Sequence, residues 1–415
     1  MKLKKEYHGT SGPLQLSLPP YVDNVALPWI ETVKSLGIRT NFDANDGDNT
    51  GVWISVHSCD SKSIRSSVAS AYYEPNQSRS NLKVITGALV TKVLTSGEGE
   101  VVAYGVEYLK DGVLETLCAT KEVILCCGSY KTPQILELSG IGDPEVLNKF
   151  GIKIVINLPG VGNNLRDVYA FTTTLHFADI SRRELIPGHE TWARMSDLKF
   201  AEQQEEIFKA TGGGMLNSIP SAFAALPLRD FDEDGSIARL INKERATAIS
   251  EIQNQWALNA RVPFLQITGF DRFLPGTLNE PKADTDYMTT TMILLHPFSR
   301  GSAHIISKDP NAAPEIDHNY LNSPVDIKIL VEAYKTVRKI YNTAPLKYHI
   351  MHEVNPGIQV QTDEEISEYI KKTLDSTYHP IGTSSMLPQE DKGVVDSRLR
   401  VYGTKNLRVV NIFFA

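Results

Sequence analysis

The clearest pattern in the chain is a series of short β-rich runs between residues 82 and 128. "LKVITGALVTKVL", "VVAYGVEYL", "VLETLCA" and "KEVILCCG" follow one another, and "TSGEGE" and "KDG" separate the first three. Such runs, broken by glycine-containing turns, predict an antiparallel meander. The last run is apolar throughout from Val123 to Cys127, the pattern of a strand covered on both faces. It ends at Gly128-Ser129 and passes into "KTPQILELSGIG". A strand–glycine–helix junction is therefore predicted, a geometry that gathers backbone N–H groups and suits a phosphate.

Helical signals follow. Asp143 as N-cap, Pro144 at the first position and Gly151 past the end bound a short helix, after which "IKIVINLPGVGNNLRD" gives a strand and a loop. Residues 189–210, "HETWARMSDLKFAEQQEEIFKA", predict amphipathic helix, broken by "TGGG" at 211–214. "TDYMTTTMILLHPFSRGSAHIIS" returns to strand character, with a hairpin turn predicted at Ser299-Arg300-Gly301. A long helix from Pro324 sets Ile327, Leu330, Tyr334, Val337 and Tyr341 on one face. A shorter one begins at Thr362, with Glu365 completing a capping box. The whole reads as α/β in the mixed, α+β sense. Its regions are 1–167, an inserted second region at 168–295, and 296–415.

With 415 residues and 41% hydrophobic content, the chain can bury a large core. Its net charge of −7, with both signs interspersed, argues against nucleic acid or an anionic membrane as partner. No apolar stretch reaches the ~18 residues of a membrane span. The start carries no apolar leader segment, so the chain as written reads as cytoplasmic. The cysteines are Cys59, Cys118 and the pair Cys126–Cys127, too few for a disulfide scaffold. The apolar run around the pair predicts buried free thiols.

Several chemical signatures fall short. "DFDEDGSI" at 230–237 begins like a calcium loop, but its twelfth position is Ile241, so a solvated acidic loop is expected. "HIMHE" at 349–353 matches no zinc-protease spacing and predicts a helix-face histidine pair without metal. G-x-S-x-G, Walker A and G-x-G-x-x-G are all absent; "GVGNNL" at 160–165 has Leu165 where the last glycine should stand.

Four stretches, in order, resemble the glucose–methanol–choline (GMC) oxidoreductases, flavoenzymes that oxidise alcohols. They are "HGTSGPLQLS" at 8–17, "GSYKTPQILELSGIG" at 128–142, "PFSRGSAHIISKDPNAAPEIDHNYLNSPVD" at 297–326, and "YHPIGTSSM" with "VVDSRLRVYGTKNLRVVN" at 378–411. The glucose oxidase and aryl-alcohol oxidase branch looks nearest. The resemblance implies FAD as cofactor, a small alcohol or sugar as substrate, and oxygen or a quinone as acceptor. It implies that His379 is the base that takes the hydroxyl proton while hydride leaves for the flavin, a role suited to imidazole. It also places the backbone of Val90 against the adenine and Gly128 and Ser129 near the dinucleotide. Arg400 and Val401 would line the oxygen side of the flavin. No metal is implied.

The departures carry expectations of their own. Family members are longer at the N-terminus by about 150 residues or more, where the G-x-G-x-x-G βαβ unit receives the pyrophosphate. A second catalytic His or Asn would fall beyond Ala415. Asn411 stands where an aspartate is usual, and Val168 where histidine is frequent. The expected fold is therefore a GMC-type FAD-binding fold without its N-terminal Rossmann βαβ, joined to an antiparallel-sheet substrate domain. A chain cut at both ends, binding FAD poorly, is the expectation, and secretion is open for a full-length relative. Two other readings stay open: a non-catalytic remnant, and a flavin-fold relative with a non-redox reaction.

Overall fold

The structure, a computed structural model, describes all residues except 1–3, 24, 98, 180–191, 218–221, 244–247, 275–278, 280–284 and 412–415. The final run after Asn411 and the start of the 189–210 stretch thus lie outside the described residues. Helix α1 (Ala26–Ser35) opens the chain, followed by strand β1 (Gly51–Ile54). A meander of β2 (Ala88–Ser96), β3 (Val102–Lys110) and β4 (Val113–Cys118) pairs antiparallel throughout. Next come β5 (Val123–Leu125), α2 (Gly128–Leu138), β6 (Ile141–Gly142), α3 (Pro144–Lys149), β7 (Ile156–Asn157) and the long β8 (Tyr169–Asp179). Asp143 caps α3 as expected, accepting the Glu145 N–H at 2.9 Å.

The second half begins with α4 (Leu198–Thr211), stopped by Gly212 in the left-handed conformation. Then β9 (Ala222–Pro227), α5 (Ser236–Ile241), α6 (Ala248–Leu258), β10 (Pro263–Phe270) and β11 (Thr285–Leu294) follow. The chain closes with β12 (Ser302–His304), β13 (Glu315–Asp317), α7 (Pro324–Tyr341), β14 (His352–Asn355), α8 (Asp363–Thr373), β15 (Asp375–Ser376) and β16 (Leu407–Val409). Ser323 and the Thr362–Glu365 capping box start α7 and α8, as their sequences require.

Seven antiparallel strands form the main sheet, in the order β1-β9-β10-β11-β8-β14, with β15 also paired to β8. The sheet thus draws β1 from before residue 168 and β14 and β15 from after residue 295. Its apolar face packs on α7, where Leu330, Tyr334 and Val337 are fully buried against Phe171, Met292 and Leu294. Each such side chain contributes about 1.5–3 kcal/mol of hydrophobic stabilisation. A smaller core forms separately from Val93, Ala103, Val123, Leu125, Leu136, Val401, Leu407 and Val409.

The fourth run of the predicted meander does not join it. Strand β5 pairs in parallel with β16, Val123 opposite Leu407, and is covered on one face only: Val123 and Leu125 are buried while Ile124 is 50% exposed. Continuous apolar sequence here does not mean burial on both sides. The hairpin expected at 299–301 is also absent, because β11 pairs with β8 and β10, and β12 with β13. Asp326 accepts the N–H groups of Phe298 and Ser299, and Gly301 pairs with Leu165, so the segment is held elsewhere.

Cys118, Cys126 and Cys127 are exposed rather than buried. His349 ends a 3₁₀ turn and His352 begins β14, so the two histidines share no helix face; Glu353 beside them binds Arg338 and Tyr334. In the 230–237 loop, Asp232 is buried and accepts the Ile237 and Ala238 N–H groups at the start of α5, a structural rather than a solvated role. Among the described residues no three metal-binding side chains cluster, and no helix is long and apolar enough to cross a membrane.

Candidate active site

His379 sits on the loop leaving β15, and two other segments fix that loop. The 160–168 loop holds one side: Arg166 and Ile381 exchange backbone hydrogen bonds at 2.9 and 2.7 Å, and Gly162 donates to Thr383. Helix α2 holds the other, since the Ser129 hydroxyl donates to the Pro380 carbonyl at 2.6 Å and Thr383 Oγ1 donates to the Ser129 carbonyl at 2.5 Å. Beneath it, Asp167 Oδ2 accepts the hydroxyls of Tyr320 (2.5 Å) and Ser376 (2.6 Å), and Ser376 Oγ accepts the Tyr378 N–H. Tyr378 takes a positive φ of 62° within this frame. Gly382, at φ 96°, is required: a Cβ there would lie 2.2 Å from the Asn164 carbonyl oxygen.

The frame also sets the tautomer of His379. Thr377 Oγ1 lies 2.5 Å from the Val168 carbonyl oxygen and 2.9 Å from His379 Nδ1. A hydroxyl has one proton, and the carbonyl can only accept it. Thr377 therefore accepts from Nδ1–H, which leaves the lone pair of the neutral ring on Nε2. An exposed imidazole with a free Nε2 is a ready proton acceptor.

His379 lines a cavity of about 530 Å³ together with Arg166, Val168, Trp256, Leu295, His296 and Ile381. Its wall is mainly apolar. His296 packs against Trp256 and Phe264, with ring centroids 5.1 and 5.2 Å away. Burial, helped by Arg166 and Arg300, pushes the His296 pKa down to about 3, so this ring is neutral at ordinary pH. Arg166, Trp256 and His296 were not singled out from the sequence. The one available signal was position, since Arg166 lies in the "NLRD" loop and His296 directly precedes the "PFSRG" stretch.

The other predicted residues gather around the smaller core. Gly128 and Ser129 start α2, whose N-terminus is capped from far along the chain: Asn411 Oδ1 accepts the Gly128 N–H at 3.0 Å and its amide donates to Thr132 Oγ1 at 2.7 Å. Gly128 has φ 75°, and a Cβ there would meet nothing within 4 Å. Val90 lies in β2 and packs against the small core, in which Val401 is completely buried. Arg400 is engaged by Asp396, with Nη2 2.7 Å from Oδ2. The Ser129–Pro380 bond thus ties the α2 N-terminus to His379, whereas Arg400 and Val401 belong to the β16 side of the small core.

This arrangement, a hydrogen-bonded histidine loop packed on a glycine-led helix, coincides with matches to known proteins. The family model for GMC oxidoreductases matches residues 13–170 and, in a second part, 297–412. The chain belongs to the GMC oxidoreductase family. The GMC oxidoreductase family protein Mala s 12 of Malassezia sympodialis is 32% identical over 97% of this chain and 63% of its own length. An oxygen-dependent choline dehydrogenase of Pseudomonas syringae is 30% identical over 98% of this chain and 65% of its own. The chain thus spans a little under two thirds of these GMC relatives. An FAD-dependent oxidoreductase from Chaetomium thermophilum superposes with a TM-score of 0.87 at 25% identity, covering all of this chain and 71% of that one. A fungal aryl-alcohol oxidase gives 0.85 at 24% identity, covering 98% and 69%, a likeness of fold.

Proposed function

We propose that this GMC chain serves FAD-dependent oxidation of a small molecule's CH–OH group, with His379 as the base. The observation that carries the reading is the tautomer: Nδ1 is tied to Thr377, so Nε2 faces its surroundings with a free lone pair. Placed near an alcohol, it takes the hydroxyl proton as the carbon loses hydride, a contribution of about 10²–10⁴-fold. Val168, Trp256, Leu295 and Ile381 give the cavity beside it a mainly apolar wall.

The residues present fit a flavin dinucleotide in part. Helix α2 begins beside open space at Gly128, with Ile124 exposed on β5 and Cys126 and Cys127 exposed just before the helix, a partly apolar surface beside a helix N-terminus. The glycine-rich G-x-G-x-x-G turn does not occur in the 415 residues. When bound, the flavin supplies the hydride acceptor; this chain's own part is to position the alcohol and hold its proton on Nε2.

A flavin absorbance titration of the purified chain, followed by anaerobic addition of alcohols, tests the reading. Saturable FAD uptake and bleaching by an alcohol, lost in His379→Ala with flavin retained, support it. Bleaching that persists unchanged in His379→Ala removes His379 from the chemistry.

A further inference from the structure

Arg166 carries a buried charge that no hydrogen-bonded acid meets. The residue is 4% exposed and lines the His379 cavity, yet among the described residues its Nη1 is buried without a hydrogen-bond partner. Arg300 nearby shows the contrast: Nε donates to Asn164 Oδ1, Nη1 to the Pro297 and Ser299 carbonyls, and Nη2 to Gln253 Oε1. Among the described residues, the buried acid Asp326 attracts both cations. Its oxygens are already engaged by the N–H groups of Phe298 and Ser299 and by the Tyr169 hydroxyl.

The other groups on the cavity wall do not supply the missing anion. His296 is neutral, and its Nδ1 is likewise buried without a partner. Arg261 is matched by Asp48, 3.5 Å away. Burial and the Arg300 charge pull the Arg166 pKa down to about 9, which leaves it cationic at neutral pH. A buried guanidinium kept charged without a carboxylate is costly, and its planar fork matches a carboxylate better than any neutral group.

We propose that the cavity takes an alcohol that also bears a carboxylate on an apolar, aromatic-sized body, the carboxylate bound by Arg166 and the hydroxyl turned toward His379. Trp256 and His296 both line this cavity, so an aromatic body would meet aromatic side chains there. The hydroxyl end of this assignment rests on the alcohol-oxidation reading; the carboxylate end rests on Arg166 alone.

Binding of 4-(hydroxymethyl)benzoate and of the neutral 4-(hydroxymethyl)benzamide to the full chain at pH 7, by calorimetry and tryptophan fluorescence, separates the two ends. The acid is expected to bind about tenfold or more tighter than the amide, as a charge-assisted bidentate pair requires. Arg166→Gln should abolish that preference by weakening the acid far more than the amide, and Arg166→Lys should keep part of it. Equal affinity of acid and amide for the wild-type chain overturns the proposal whether or not either variant folds. So does an Arg166→Gln chain that keeps the preference but loses FAD uptake, which would assign the guanidinium to the cofactor. Acid preference without any oxidation of the alcohol in the presence of FAD leaves the carboxylate site standing and removes the alcohol-oxidation reading. Oxidation of neutral alcohols without acid preference does the reverse.

Discussion

The Ser129 hydroxyl donates to the Pro380 carbonyl at 2.6 Å, joining residues 251 positions apart in sequence. Thr383 Oγ1 returns the link to the Ser129 carbonyl. Two hydrogen bonds therefore fasten the start of α2 to the loop that carries His379, and Ser129 and Thr383 are both nearly inaccessible to water. The two stretches that most resemble the family, 128–142 and 378–386, are one structural unit.

Removing the Thr383 hydroxyl leaves the buried Ser129 carbonyl without its partner, and removing the Ser129 hydroxyl leaves the half-buried Pro380 carbonyl without its own, at a cost of up to about 1–3 kcal/mol each. Ser129→Ala and Thr383→Val should each lower the denaturation midpoint by a corresponding amount. Because the two bonds share Ser129, the double variant should cost less than the sum of the singles. Strict additivity in the double-mutant cycle would show that the loop is held by other means.

Gly382→Ala should be worse than either. The added Cβ would lie 2.2 Å from the Asn164 carbonyl oxygen, and the residue sits at φ 96°. Steric overlap with backbone and a left-handed conformation together cost on the order of 3 kcal/mol or more. The expected result is a large drop in thermal midpoint. A midpoint within a degree or two of wild type would mean that the 160–168 loop yields easily, and that the His379 frame is softer than its hydrogen bonds suggest.

How far the sequence reveals this site depends on the range of the interaction. Local signals read correctly: the Asp143 cap, the Thr362–Glu365 capping box and the Gly212 stop each depend on neighbours within a few positions. Partners far along the chain were not legible. Strand β5 looks like a fourth meander strand, but its mate is β16, nearly 300 residues on, and no local pattern records that parallel pairing. Asn411 looked like a departure from a usual aspartate, yet it caps α2 across 283 positions. Arg166 was hidden for the same reason: an isolated arginine in a loop reads as surface, and only the packed cavity wall shows that it is buried. His379 was found by its motif rather than its chemistry, since the Thr377–Val168 arrangement that sets its tautomer joins two distant loops.

The pH dependence of stability should carry the mark of Asp23. Its side chain accepts the Val25 and Ala26 N–H groups at the start of α1, and burial, helped by the nearby Asp271 charge, raises its pKa to about 7. The folded chain then holds this proton more tightly than the unfolded chain does. Lowering the pH from about 7 toward 4 therefore favours folding through this group, and raising it removes that stability, by about 1.4 kcal/mol per pH unit. Asp23→Asn keeps an acceptor for both N–H groups but does not titrate. The difference in unfolding free energy between wild type and Asp23→Asn should shift in favour of Asn as pH rises from 5 to 7. A flat difference would place the Asp23 carboxylate in an ordinary, solvated state.

The tautomer argument makes a sharper claim about Thr377 than about His379 itself. His379 is exposed and its ring makes one side-chain hydrogen bond, so His379→Ala should change stability by only about 0.5 kcal/mol. If the proposed chemistry holds, turnover should fall about 10²–10⁴-fold, in kcat more than in KM. Thr377→Val leaves the imidazole in place and removes the oxygen that accepts Nδ1–H while donating to Val168. The ring is then free to turn or to move its proton to Nε2, and only a fraction remains poised to accept. A drop of about tenfold, the worth of one hydrogen bond of about 1.4 kcal/mol, is expected in kcat, with substrate affinity retained. Thr377→Ser keeps the hydroxyl and should restore most of the rate. Rescue by serine is the decisive result, because a purely packing role for Thr377 predicts that valine, closer to threonine in shape, would be the milder change.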